Sequence, residues 1–387
     1  MAFNWRRKRK DDNAVGDQPS PSSPEQALPP AAHWVVTLEG EDGQEEEISR
    51  VGIPPEEFFG MKANAAYRSL GPDHPETLLA FREYARVLAQ MEGRREEARE
   101  RFMDLVGSQS QVLGYAHEDT LTTAADLAGL VREMGDFAKA EEIWRSVWTS
   151  RSELLGADHP QTLDAASGLA RVWEDLRREA EAIALHRDVL ERRTRLLGPD
   201  DPAVLADAAA HAAALGRGDR WDEAEPALRA LIARLERRSE LDSFLGLSIR
   251  ANLGAALCRL GHLDEAEVVM RDALVDGERV KGVDHPEVLT LRNNLAAVLH
   301  ARKRYAEAAA LLREILTAVS RRLGDGHPET AHARHNLANV LIDTGERAEA
   351  APLLVRCRDD FTRVFGPHHP LTREVVEQLE WLRENPA

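Results

Sequence analysis

Six histidines (His74, His117, His159, His285, His327 and His369) hold one repeated place in the sequence, and five of them precede a proline. Imidazole is a frequent metal ligand and a general base near neutral pH, so a recurring histidine raises a metal or acid–base reading. The spacing argues against both. Neighbouring copies lie a whole repeat apart, which places them roughly 10 Å from one another at packed-helix spacing, whereas zinc–nitrogen bonds are about 2 Å long. A histidine beside proline is instead expected to serve a linker and the start of a helix, and the doublet His368–His369 has the same setting. The acid pairs Glu96–Glu97 and Glu141–Glu142 fall at predicted helix starts, where carboxylates favour the helix dipole. No GxSxG, HExxH or GxxxxGK[ST] pattern accompanies them. The expectation is therefore no catalytic residue, no metal, no cofactor and no enzyme.

The elements that carry these histidines repeat. LGPDHPETL from Leu70 returns as LGYAHEDTL from Leu113, LGADHPQTL from Leu155 and LGPDDPAVL from Leu197, then as KGVDHPEVL from Lys281, LGDGHPETA from Leu323 and FGPHHPLTR from Phe365. A worn copy, SELDSFLGL from Ser239, keeps the register. A second marker lies on the same 42-residue lattice: Ala98, Ala140, Ala182, Ala224, Ala266, Ala308 and Ala350. The one extra residue of the first repeat fits near Glu92, because the Ala98 lattice stays intact. Within a repeat, Leu291, Leu295, Val298 and Leu299 make one helical stripe, and Ala308, Leu312, Ile315, Leu316 and Val319 a second. Between them the chain turns near Lys303, a place where other copies have Gly93, Gly135, Gly261 or Gly345. A helix pair this small cannot bury its own stripe, so stacked neighbours must share a continuous core. The fold class is all-α, an α-solenoid of about seven hairpins from Pro75 to Phe365. Helices over Pro55–Ser69 and Leu371–Arg383 are expected at its two ends.

The LGxDHPxTL linkers, the Asn-Leu-Ala stretches at 294–296 and 336–338, Glu265–Glu267 and the 42-residue period resemble tetratricopeptide repeats of the kinesin-light-chain type, in a bacterial stand-alone form. The resemblance covers residues 70–384. It implies a right-handed solenoid and partner binding in a concave groove, with nothing catalytic. Asp201 and Ser243 depart from the pattern, standing where histidine is usual.

Composition bounds the rest. A formal charge of −17 disfavours nonspecific nucleic-acid binding, which needs a phosphate-neutralising surface. No apolar run approaches the roughly 20 residues of a membrane span. The basic start MAFNWRRKRK continues into hydrophilic chain rather than an apolar stretch, so no secretory signal is read there. Cys258 and Cys357 are too few for a disulfide framework. A cytoplasmic protein is expected. Residues 1–32 are predicted to be a disordered tail, basic and then rich in Pro and Ser. Residues 33–54 alternate as a small acidic β-hairpin, His33–Glu39 pairing with Glu45–Val51 across Asp42–Gly43. The solenoid takes 55–387. The acidic stretch Glu39–Glu47 could fold back as a ligand for a basic part of the groove, although a solvated segment is the simpler reading.

The informative surface is the face of each first helix opposite its stripe. Counted from the linker histidine, buried positions are +6, +10, +13 and +14, so +5, +8, +12 and +15 point away, with +16 at their margin. Those places hold Arg82, Arg86, Arg132 and Arg171, then Arg259, and finally Asn293, His300, His332, His335 and Asn339. The middle repeats have Ala125, Gly129, Ser167, Ala209, Ala213, Ala251 and Ala255 instead, while Glu174, Asp175 and Asp343 interrupt the positive field. Arginine can grip a carboxylate bidentately and asparagine can bond an extended backbone. The expectation is a scaffold or adaptor that binds an extended, acidic peptide segment of a partner protein. The alternative is a regulatory subunit or sensor for an enzyme or transcription factor encoded nearby. Asn252, Asn294 and Asn336, one step over, are expected to brace neighbouring helices. A homodimer through a terminal helix is compatible with this reading.

Overall fold

The structure, a computed structural model, describes residues 4–7, 33–39, 45–51, 54–91 and 93–385. Glu92, most of the predicted tail and the turn at Asp42–Gly43 lie outside the described residues. The chain divides into two compact units, Met1–Leu176 and Arg177–Ala387.

The first unit contains a three-stranded antiparallel sheet in the order β1 (Asn4–Arg7), β2 (His33–Glu39), β3 (Glu45–Val51). β2 and β3 pair from His33 opposite Val51 to Glu39 opposite Glu45. β1 lies within the stretch for which composition predicts irregular chain; its pairing with β2 supplies backbone partners that an unpaired segment lacks. Six helices follow: α1 (Pro55–Leu70), α2 (Pro75–Ala89), α3 (Arg95–Val112), α4 (Glu118–Glu133), α5 (Phe137–Leu155) and α6 (Pro160–Asp175). Each packs on the next, around Ala85, Leu88, Phe102, Leu127 and Val131.

The second unit has α7 (Glu179–Leu197), α8 (Pro202–Arg217), α9 (Trp221–Arg238), α10 (Phe244–Arg259), α11 (Leu263–Lys281), α12 (Pro286–Ala301), α13 (Tyr305–Leu323), α14 (Pro328–Asp343), α15 (Arg347–Phe365) and α16 (Pro370–Glu384). Again each helix packs on its successor, and one core runs from Ile183 to Leu382. The helices of both units follow the α-solenoid order of hairpins read from the repeats, with α1 before the first hairpin and α16 after the last. Among the described residues no helix is long and apolar enough to cross a membrane.

Local chemistry explains the breaks. All seven lattice alanines, Ala98 to Ala350, are 0% exposed. Inside the hairpins, the turn residue has a positive φ at every copy: four glycines, but also Arg177 (59°), Asp219 (58°) and Lys303 (61°). Where Gly261 takes this conformation, the His262 N–H reaches back to the Leu257 carbonyl at 2.8 Å, the six-to-one bond of a Schellman ending. Between hairpins the demand is stricter. Gly282 has φ 87° and ψ 158°, a region essentially restricted to glycine. The worn linker has no glycine there, and Ser239 ends its helix in the left-handed region at φ 56° and ψ 37° instead.

The repeated histidines are N-caps. The Nδ1 of His285 accepts the backbone N–H of Glu287 at 3.3 Å, and His74, His117, His159, His327 and His369 make the same bond two residues on at 3.2–3.3 Å. Asp201 does so at 2.8 Å and Ser243 caps the Gly246 N–H at 3.1 Å, so both departures from histidine keep the cap. Buried guanidinium groups tie linker to hairpin. Arg334, 3% exposed, donates to Asp360 at 2.8 Å and to the Asp325 carbonyl at 2.6 Å, and Arg250 treats Asp276 and the Leu241 carbonyl alike.

His285→Ala is expected to cost about 1 kcal/mol and lower the thermal midpoint, the usual effect of losing a cap, while His285→Asp leaves the midpoint unchanged or higher. In the same melts Lys303→Gly should stabilise by roughly 0.5–1 kcal/mol, because glycine relieves the left-handed backbone.

Candidate functional site

The first helices of each unit stand side by side, and polar rungs join residues about one repeat apart. In the first unit Arg86 on α2 makes a bidentate pair with Asp126 on α4, at 2.8 and 2.7 Å, with both side chains under a fifth exposed. Arg82 approaches the same carboxylate at 3.8 Å, and its Nε has no hydrogen-bond partner. Burial lowers the Arg82 guanidinium pKa, with Asp126 acting in the opposite direction and Arg86 adding to the lowering. Two guanidinium groups thus share one carboxylate. Arg132 pairs with Asp175 on α6 at 2.5 Å. Arg171 is exposed, and no bond or ion pair engages it among the described residues. Next to the Arg86 rung, Ala125 and Gly129 open a recess of about 590 Å³. A Cβ at Gly129 would meet nothing within 4 Å.

In the second unit Arg259 pairs with Asp219 at 2.9 Å, both widely exposed, and lies 6.0 Å from the Trp221 ring centroid. Asn293 on α12 accepts from Asn336 on α14 at 2.7 Å. His300 meets Asp343 at 2.5 Å. Asn339 accepts from Gln378 on α16 at 2.9 Å, and the other end of that amide meets His335 Nε2 at 3.0 Å. His335 is 5% exposed. His332 does not join the row: its ring lies 5.0 Å from that of Phe361, a fully buried residue of α15.

The structure therefore alters the picture of a basic groove. Asp175 and Asp343, which in the sequence only interrupt the positive field, are the rung partners that neutralise it, together with Asp126. Arg86, Arg132, Arg259 and His300 are engaged within the chain; Arg171, and Arg82 in part, keep donors to offer.

The asparagines also divide differently. Asn336 braces its neighbour, as the sequence suggests. Asn252 on α10 and Asn294 on α12 do not: neither has a hydrogen-bond partner among the described residues. Both line a recess of about 180 Å³ floored by Leu247, Ala251 and Leu291. Phe244, 62% exposed, stands at its edge with Lys281 Nζ 5.0 Å from its ring centroid, and Lys281 also binds Glu287 at 2.6 Å. The 42-residue recurrence of Asn252 and Asn294 is the signal that could have marked this pair. Cys357 is inert packing, its thiol pushed up to about 12 by burial and donating to the Ala331 carbonyl at 3.3 Å.

Comparison with known proteins agrees with this architecture. The family description "Tetratricopeptide repeat" matches residues 120–161 and 162–203, and again 246–320 and 287–359. No curated protein sequence matches the chain. Among solved structures, a tetratricopeptide repeat protein from Parabacteroides merdae is 15% identical with a TM-score of 0.54, covering 80% of this chain and 99% of that one. A putative kinesin light chain with nearly identical TPR-like repeats, from Podosopora anserina, is 22% identical with a TM-score of 0.46, covering 52% of this chain and 95% of that one. BtubC (BKLC) from P. vanneervenii is 20% identical with a TM-score of 0.46, covering 62% and 93%.

Burial first, and then the neighbouring His335, lowers the His332 pKa below the ordinary imidazole value. The unfolded chain therefore takes up this proton more readily. The group is without effect on stability above its unfolded pKa of about 6.5 and destabilises as the pH falls from there through the lowered folded value. The thermal midpoint of His332→Gln should accordingly fall less than that of the wild type between pH 7 and pH 5, and the two curves should run parallel above pH 7.

Proposed function

We propose that this chain, which belongs to the tetratricopeptide repeat family, is an interaction scaffold that holds an extended segment of a partner protein against its first helices. The observation that carries this reading is the pair Asn252 and Asn294, two half-buried amides without hydrogen-bond partners among the described residues, on adjacent first helices and lining one recess. These amides are half-buried, so a partner's backbone can replace their remaining contact with water by direct hydrogen bonds. Each amide has both a donor and an acceptor, which is what an extended peptide backbone requires of its binding surface. The small floor residue Ala251 leaves room for that backbone.

The first unit, taken by itself, is suited to an acidic residue of the partner. Arg82 and Arg86 share Asp126, and the Arg82 Nε has no hydrogen-bond partner among the described residues, so a carboxylate of the partner finds a donor there. Arg171 adds an exposed guanidinium on α6. Gly129 is consistent with a ligand at this place. A helix-interior glycine costs about 1 kcal/mol relative to alanine, and nothing packs where its side chain would be.

The test is affinity capture from a lysate of the source cells, quantified by mass spectrometry. Asn252→Ala/Asn294→Ala is expected to weaken partner retention by about tenfold or more, as two backbone hydrogen bonds of roughly 1 kcal/mol each imply. Arg82→Glu/Arg171→Glu should weaken it further at low salt than at high salt. A partner held equally by the wild type and by a folded Asn252→Ala/Asn294→Ala chain would remove the asparagine recess from the binding surface.

A further inference from the structure

The row of first helices ends at α16, and there its chemistry changes. Counted from the cap His369, Glu374, Glu377 and Trp381 occupy the +5, +8 and +12 places of the row. The corresponding residues on α10 are Ser248, Ala251 and Ala255. The terminal helix thus continues the ligand-facing positions rather than only covering the core. With residues of α14 these three form a recess of about 370 Å³.

Its floor is fixed. Gln378 gives its Nε2 protons to Asn339, which leaves Oε1 as the acceptor toward His335 Nε2. Both ends of this amide are engaged, so the groups left for a ligand are in the walls: the carboxylates of Asp343, Glu374 and Glu377, the side chain of Ile342, and the Trp381 indole. Asp343 is matched by His300 at 2.5 Å. Glu374 has His335 at 4.0 Å, and Glu377 has no ion pair among the described residues. Arg347 lies 5.0 Å from the Trp381 ring centroid, yet the tryptophan remains 41% exposed.

We propose that the α14–α16 recess receives an arginine or lysine side chain of the bound partner segment. Its aliphatic stem lies along Ile342 and the open indole, and its cationic head takes up the carboxylate charge that the chain itself leaves unmatched. A tryptophan face favours such a cation, more so when water is partly excluded. The inference rests on the first-helix row being the ligand face. It gives the partner a basic residue at α16.

The experiment is a fluorescence-anisotropy titration of the full chain with a fluorescein-labelled peptide, Gly-Ala-Arg-Lys-Arg-Ala-Gly, at low ionic strength. A second probe carries citrulline for each arginine and norleucine for lysine. The wild type should bind the neutral probe at least about tenfold more weakly than the basic one, and Glu374→Gln/Glu377→Gln and Trp381→Ala should each lose about fivefold or more for the basic probe. Glu100→Gln/Asp104→Asn, two acids removed from exposed sites on α3, should bind as the wild type does. Equal affinity for the two probes overturns the proposal. So does a loss in the α3 control equal to that in Glu374→Gln/Glu377→Gln, since attraction to a negative protein would then suffice. In the capture assay, a partner lost on Glu374→Gln/Glu377→Gln but indifferent to Asn252→Ala/Asn294→Ala overturns the asparagine reading and leaves the recess standing. The reverse pattern overturns the recess.

Discussion

Each second helix of the repeats carries one alanine of the 42-residue lattice, and at all seven copies that alanine is completely shielded from solvent. A larger side chain at a fully buried site overpacks the core, with strain of about 1–3 kcal/mol per site. The cores differ in detail between the units. In the first unit Phe102, Leu127 and Val131 supply the bulk, and in the second the core continues without interruption from Ile183 to Leu382. Because no hairpin can bury its own stripe, stability here belongs to interfaces between successive helices more than to any helix alone.

Two backbone constraints keep those interfaces in register. The turn inside a hairpin needs a left-handed residue, and Arg177, Asp219 and Lys303 adopt that conformation where glycine is absent. The linker between hairpins needs a backbone that only glycine adopts readily, so it cannot be replaced in the same way. The worn linker at Ser239 changes its geometry rather than force another residue into it. The cap that follows is more tolerant. Histidine, aspartate and serine all serve, since any acceptor of suitable reach satisfies one of the helix's unpaired N–H groups.

Charge along the first helices is neutralised locally. Asp126 and Asp175 each lie close to an arginine about one repeat away, and Asp343 to the His300 imidazole. The exceptions stand out against this rule: Arg82 with a shared carboxylate, and, without partners among the described residues, the amides of Asn252 and Asn294 and the Glu377 carboxylate beside Trp381. The Arg82 Nε is buried without a hydrogen-bond partner, which raises the free energy of the unliganded protein, and a ligand that satisfies it recovers that cost on binding.

Periodicity alone determined the architecture. The 42-residue lattice, the apolar stripes of Leu291–Leu299 and Ala308–Val319, and the glycine and proline punctuation specify hairpins, their number and their ends, because each is a local consequence of helix geometry. The histidines were legible for the same reason: proline beside them marks a helix start, and capping involves residues two apart. The pairing of the polar groups was not legible. Helical phase assigns Arg86, Arg132, Asn293 and His300 to one face of the first helices, but it carries no information about what stands opposite, forty or so residues away. Only tertiary packing decided that Arg86 is engaged by Asp126, that His332 leans on Phe361, and that Asn336 finds a partner while Asn252 and Asn294 have none among the described residues. Hydrogen bonding depends on distances of a few tenths of an ångström between side chains remote in sequence, and those distances exist only once the helices are stacked.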